Sequence, residues 1–113
     1  MTKKTRAARQ VSRFERANLP LFLRRLHPHD TAKAVAADLA RSHHTVKNWL
    51  DGTAAPDAEA FGDMIGVYGA PFVCAVMDPP PAWASDAMAR AELAELEELS
   101  ARLRQKLKQA DPV

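Results

Sequence analysis

A single cysteine, Cys74, occurs in the 113 residues, so no disulfide can form within the chain. Its setting, "PFVCAVM", is apolar and marks a packed thiol rather than a nucleophile. Aromatics make up only 6% of the sequence and alternating Val/Ile/Thr runs are missing, which argues against sheet and leaves no strand to expect. Nothing approaches the roughly 18 consecutive apolar residues of a bilayer-spanning helix, and the basic N-terminus lacks the apolar stretch of a signal peptide. The expectation is a cytoplasmic protein in a reducing environment, with no membrane partner.

Catalytic constellations are also missing. No Ser/His/Asp elbow, Gly-rich phosphate loop or pair of facing carboxylates can be assembled, so neither an enzyme nor a cofactor is expected. Four histidines raise the question of metal. His27 and His29 are two apart and His43 and His44 are adjacent, but neighbours on a helix do not share a face. No Cys or carboxylate stands at zinc spacing from them, so no metal site is expected.

Alanine and leucine at helical periods are abundant, and the length suits one small helical domain with an extension. The net charge of +2 hides a division along the chain. Residues 1–52 carry eleven Lys/Arg against four Asp/Glu, a net +7, whereas residues 53–113 carry five against ten, a net −5. The first half is suited to a polyanion and the second to some other task.

Residues 1–17 read as a basic arm in which Arg6, Arg9, Arg13 and Arg16 would share one face if the segment were helical. Two helix starts compete next: "SRFE" at Ser12–Glu15 has capping-box spacing, and Asn18 is a cap with Pro20 in the first turn. Leu19, Phe22, Leu23 and Leu26 then form a core stripe with Arg24 and Arg25 outward, until "HPHD" breaks the helix. Asp30 or Thr31 caps a second helix with Val35, Ala36 and Leu39 inward. Ser42 caps a third, whose inner face is Val46, Trp49 and Leu50 and whose left-handed stop is Gly52.

Pro56 and Asp57 start a fourth helix, with Phe61, Met64, Ile65 and either Val67 or Tyr68 inward and Gly69 at its end. A short fifth helix follows over about 71–77. "DPPPA" at 78–82 stops helix formation and marks a linker over 78–84. The last helix is expected from about Ser85 to Gln109, within a C-terminal segment 85–113. With Leu93 at heptad position a, Leu96 is d, Ser100 a, Leu103 d, Leu107 a and Ala110 d, and Leu99 widens the stripe. Its acids (Glu92, Glu95, Glu97, Glu98) precede its bases (Arg102, Arg104, Lys106, Lys108), an order that complements the helix dipole and equally allows antiparallel pairing of two copies.

Taken as one unit, "TAKAVAADLARSHHTVKNWLDG" puts small Ala36 where two helices cross, Leu39 before a short turn, and a polar start on the second helix. With Pro56 and another amphipathic helix after it, residues 18–77 resemble the lambda-repressor-like, or Cro/repressor-type, helix-turn-helix family. The chain departs from the family's pattern in the turn, where Ala40 stands in place of a frequent Gly. It departs again at the opening of the first motif helix, where Ala32 stands in place of a frequent phosphate-touching Gln.

The resemblance implies a five-helix DNA-binding domain over 18–77, and with the basic N-terminal arm and the coiled-coil-like C-terminal helix read from charge and heptad spacing the whole is an all-α fold. It also implies a sequence-specific transcriptional regulator, nucleoid-associated when bound to double-stranded DNA. By position, His43, His44, Lys47 and Asn48, with Thr45 at the margin, are the base readers. Thr31, Lys33, Arg41 and Ser42 become backbone contacts at helix starts, joined by Arg6, Arg9 and Arg13 from the arm. Leu93, Leu96, Leu99, Leu103 and Leu107 are left to pair two copies or to dock a protein partner. The alternative is an adaptor acting through the C-terminal helix, with weak or indirect DNA contact. An antitoxin-like or phage-derived regulator is also within what the fold allows.

Overall fold

The computed structural model describes residues 11–110, and six helices dominate them. They are α1 (Asn18–Leu26), α2 (Thr31–Leu39), α3 (His43–Asp51), α4 (Ala58–Tyr68), α5 (Ala70–Val76) and α6 (Ala82–Ala110). None is long and apolar enough to cross a membrane.

Two of the starts follow from capping chemistry. Ser42, in extended geometry, accepts the Thr45 amide on its hydroxyl at 3.1 Å, and Asp57 accepts the Ala60 amide at 2.8 Å. The start of α1 differs from expectation. Asn18 is its first residue rather than its cap, with Ala17 before it and no side-chain cap. Asp30 precedes α2 in left-handed geometry and does not cap with its side chain. Thr31 Oγ1 instead donates back to the His27 carbonyl at 2.5 Å, which closes the α1–α2 corner.

The expectation of no strand is corrected. Arg13–Phe14 (β1) pairs antiparallel with Met77–Asp78 (β2), Arg13 opposite Asp78 and Phe14 opposite Met77, and the Glu15 amide adds a 2.7 Å bond to the Val76 carbonyl. "SRFE" therefore runs extended and starts no helix. The pairing sets Phe14 edge-on against Phe61, ring centroids 5.2 Å apart, and ties the segment before α1 to the end of α5. The start of α6 also moves, to Ala82, because the Pro81 carbonyl accepts the amides of Ala84 and Ser85. The last proline of "DPPPA" opens the helix that the first two prevent.

The core collects the inward stripes of all six helices. Leu19, Phe22 and Leu23 of α1 meet Val35, Ala36 and Leu39 of α2 and Val46 and Trp49 of α3. Ala60 and Met64 of α4, Phe72, Val73 and Val76 of α5 and Ala84 of α6 complete it. Phe72 is the aromatic hub, its ring 5.3 Å from Phe61 and 5.6 Å from Phe22. On α4 the choice between Val67 and Tyr68 falls to Tyr68, which packs against the core while Val67 is exposed. Cys74 is half-buried against the same core.

Helices α2 and α3 end in the same hydrogen-bond motif. At α2 the Arg41 amide reaches back to the Ala36 carbonyl and the Ala40 amide to Ala37; at α3 the Thr53 amide reaches Asn48 and the Gly52 amide reaches Trp49. Each motif needs one left-handed residue. Gly52 takes it at φ 79°, but at α2 it is Ala40 at φ 54°, where its Cβ crowds the carbonyl. Ala40→Gly removes that strain and adds freedom to the unfolded chain, for a net gain of about 0.5–1 kcal/mol. A higher urea midpoint at unchanged m is the expected result, and a lower one would contradict it.

Candidate nucleic-acid interface

The α2–turn–α3 unit fixes which side chains of α3 face solvent. Val46 and Trp49 anchor its inner face in the core, so the helical period turns His43, His44 and Lys47 outward, all exposed. Thr45 and Asn48 lie half-buried on the flank toward α4, where they share a shallow cleft of about 190 Å³ with Arg41, Trp49 and Asp57. Asn48 Nδ2 lies 3.4 Å from His44 Nε2 one turn earlier, and the Ser42 and Thr45 hydroxyls are 2.8 Å apart at the start of the helix. These groups form one polar surface with two imidazoles, an amine and an amide. That combination of donors and acceptors suits the edges of base pairs in a major groove, which admits one helix.

A second, wider cleft of about 440 Å³ opens on the other flank of α3, between α1 and α2. Arg24, Lys33, Lys47 and His43 line it, opposed by Asp30 and Asp51. Arg24 also approaches the Leu50 carbonyl at 3.5 Å, and Arg16 donates to the Gly52 carbonyl at 2.7 Å. Both arginines thus sit at the negative end of the α3 dipole. The bases converge here from three different helices. That makes the cleft a suitable seat for phosphate oxygens flanking the α3 surface.

The expected backbone residues divide in the fold. Lys33 is exposed in the first turn of α2, Ser42 is exposed at the start of α3, and Arg13 is exposed on β1. Thr31 is buried, with its hydroxyl committed to His27. Arg41 is half-buried and turned to α4, where its Nη2 lies 2.6 Å from Asp63 Oδ2 and its Nε is buried without a partner among the described residues. Arg6 and Arg9 lie outside the described residues. Arg16 and Arg24, at the two ends of the α1 region, were not anticipated in this cluster. The outward placement of Arg24 was readable from the period of α1 and that of Arg16, which precedes the helix, was not; the approach of α1 to the end of α3 is a tertiary fact without a local signal.

A polar cluster behind the interface fixes α2 against α1 and α4. Asp38 Oδ2 accepts from His27 Nε2 and from the Tyr68 hydroxyl, both at 2.8 Å. Partial burial acts to raise the Asp38 pKa, but the two hydrogen bonds and the His27 charge outweigh it and hold the carboxyl below its ordinary value. Burial, then the bond to Asp38 and its negative charge, push the Tyr68 phenol above its ordinary value. The cluster joins His27 at the end of α1, Asp38 near the end of α2 and Tyr68 at the end of α4. It therefore steadies the helix that carries α3.

The five expected leucines of α6 are all exposed, from 46% at Leu99 to 70% at Leu107. No protein-family model, curated protein or solved structure matches the chain.

Proposed function

We propose that the chain is a sequence-specific DNA-binding transcriptional regulator. In this reading α2, the turn at 40–42 and α3 act as a helix-turn-helix, α1 to α5 form the five-helix domain of the repressor-type resemblance, and α3 is the recognition helix. The observation that carries the reading is the surface of α3. Its inner side is fixed by Val46 and Trp49, its outer side presents His43, His44 and Lys47, and Thr45 and Asn48 stand at the margin.

Each role follows from chemistry. Lys47 can donate to guanine O6 or N7, Asn48 can bond adenine through both amide atoms, and the histidines donate or accept according to tautomer. Arg24 and Lys33, in the cleft beside α3, and Arg13, on β1, reach for phosphates. The net +7 of residues 1–52 favours a polyanion, because neutralising phosphates supplies much of the affinity for DNA.

The test is selection from a random-sequence duplex library with the whole chain, followed by affinity for the selected site against scrambled DNA at two salt concentrations. An enriched motif whose preference survives the higher salt is the expected result. Binding without a motif, lost as salt rises, would reduce α3 to a scaffold element and overturn the reading.

A further inference from the structure

Beyond Met88, α6 leaves the domain. Ala84 is its buried residue, and every residue from Met88 to Ala110 is exposed. Leu93, Leu96, Leu103 and Leu107 nevertheless hold one heptad seam, each about half exposed or more, with Leu99 at its edge. By helical rise the seam from Leu93 to Ala110 runs about 26 Å. A continuous apolar strip of that length on a projecting helix needs a cover.

We propose that a second copy of the chain covers it, with the two α6 helices running antiparallel about a two-fold axis near residues 101–102. The proposal stands apart from the DNA reading, since it rests on α6 alone. Two features select an antiparallel second copy: side-chain size along the seam and the order of charge beside it.

With the helices antiparallel, Leu93 faces Ala110 of the second copy, Leu96 faces Leu107, and Ser100 faces Leu103. Every layer then contains a leucine, and each small residue meets a large one. Running parallel, each residue would meet its own counterpart, so Ser100 would face Ser100 and Ala110 would face Ala110, leaving two layers underfilled. The Ser100 hydroxyl accepts from Arg104 Nη2 of its own helix at 3.1 Å, so it does not require a polar partner across the seam.

The flanking charges agree. In the antiparallel pair, Glu97 of one helix lies beside Arg104 of the other, and the two-fold axis makes this contact twice. Lys106 lies beside Leu99, where its methylene stem can cover the leucine. In the parallel pair, Glu92 would lie beside Glu97, again twice, and the whole acidic half would face its own copy. Neither ion pair among the described residues involves α6, and the bond of Arg104 Nη2 to the neutral Ser100 hydroxyl leaves the other guanidinium donors for Glu97 of the second copy.

The experiment is sedimentation velocity on the full chain without DNA, at tens of micromolar and low salt. Variants Glu97→Arg and Arg104→Glu are run alone and as an equimolar mixture. Both positions are exposed, so the fold should be untouched, which far-UV circular dichroism checks. The unsubstituted chain should be a dimer. Each variant alone should dissociate about tenfold more readily, since two attractive contacts become repulsive, and the mixture should recover the original affinity. With Cys74→Ser as background, Leu96→Cys and Leu107→Cys chains should cross-link when mixed and not when separate.

A monomer at these concentrations would overturn the proposal and reassign the seam to a different protein. Tighter association of Glu97→Arg alone would overturn it in favour of parallel pairing. A mixture no tighter than either variant would overturn it as well. None of these outcomes bears on whether α3 selects a DNA sequence, which the library measures separately.

Discussion

Replacing Trp49 with alanine should lower the unfolding free energy by about 3–5 kcal/mol, a large share of the roughly 5–15 kcal/mol that holds a domain of this kind together. The indole is 4% exposed on the inner face of α3, beside Val46 at 0%. A buried tryptophan removes about 150–250 Å² from water, roughly 4–6 kcal/mol at 25 cal/mol per Å², and part of that loss is recovered if the site relaxes. Trp83, at the start of α6 and 55% exposed, supplies the comparison. Trp83→Ala should fall within about 0.5 kcal/mol of the unsubstituted chain. Urea unfolding followed by far-UV circular dichroism measures both, and comparable losses from the two would refute the placement of Trp49. The consequence reaches function. Without this anchor α3 loses its register against α2, and the residues on its outer face no longer share one surface.

How far the fold was legible in the sequence follows from the range of each interaction. Ser42, Gly52 and Asp57 act within a few residues of themselves, so their roles as caps and stop were readable. The inward stripes of α1, α3 and α4 were readable because period alone separates the two sides of a helix, except that Leu26, expected in the α1 stripe, is 41% exposed at the last residue of that helix. The β1–β2 pair was not. Two-residue strands have too few positions to show alternation, and Arg13 meets Asp78 only because the helices between them return the chain. "SRFE" met the local rule for a cap and was overruled by that pairing. Ala40 was recognised as standing in the turn, but its left-handed backbone is imposed by the bonds of Ala40 and Arg41 to the preceding turn.

The candidate site shows the same split. The outer face of α3 follows from Val46 and Trp49 being inside, a statement about one helix. Arg24 in the cleft, Arg41 on Asp63 and His27 with Tyr68 on Asp38 join residues 11 to 30 positions apart, and no periodicity within one helix reports them. For that reason Arg41 and Thr31, sound phosphate ligands by helix position, have other partners in the fold, and Arg24, overlooked by position, stands in the cleft.

Lys47→Ala and Asn48→Ala should each lose about 1–3 kcal/mol on the selected DNA site, roughly five- to 150-fold in affinity. Both residues are on the surface of α3, and neither is part of the buried core, so the loss should appear in binding and not in thermal stability. Asn48 should act mainly on specificity: its amide is uncharged, so affinity for scrambled DNA should barely move. Lys47 should lower both affinities, with the larger loss on the selected site, because its ammonium also neutralises charge. Arg24→Ala and Lys33→Ala, in the cleft beside α3, should behave differently. They should weaken selected and scrambled DNA alike and make the salt dependence shallower by about one unit of slope each. Lys47 and Lys33 make the sharpest comparison, since the same side chain lines the same cleft from two helices. If the two lysine substitutions change selected and scrambled binding in the same ratio, α3 does not read bases, and the interface is electrostatic throughout.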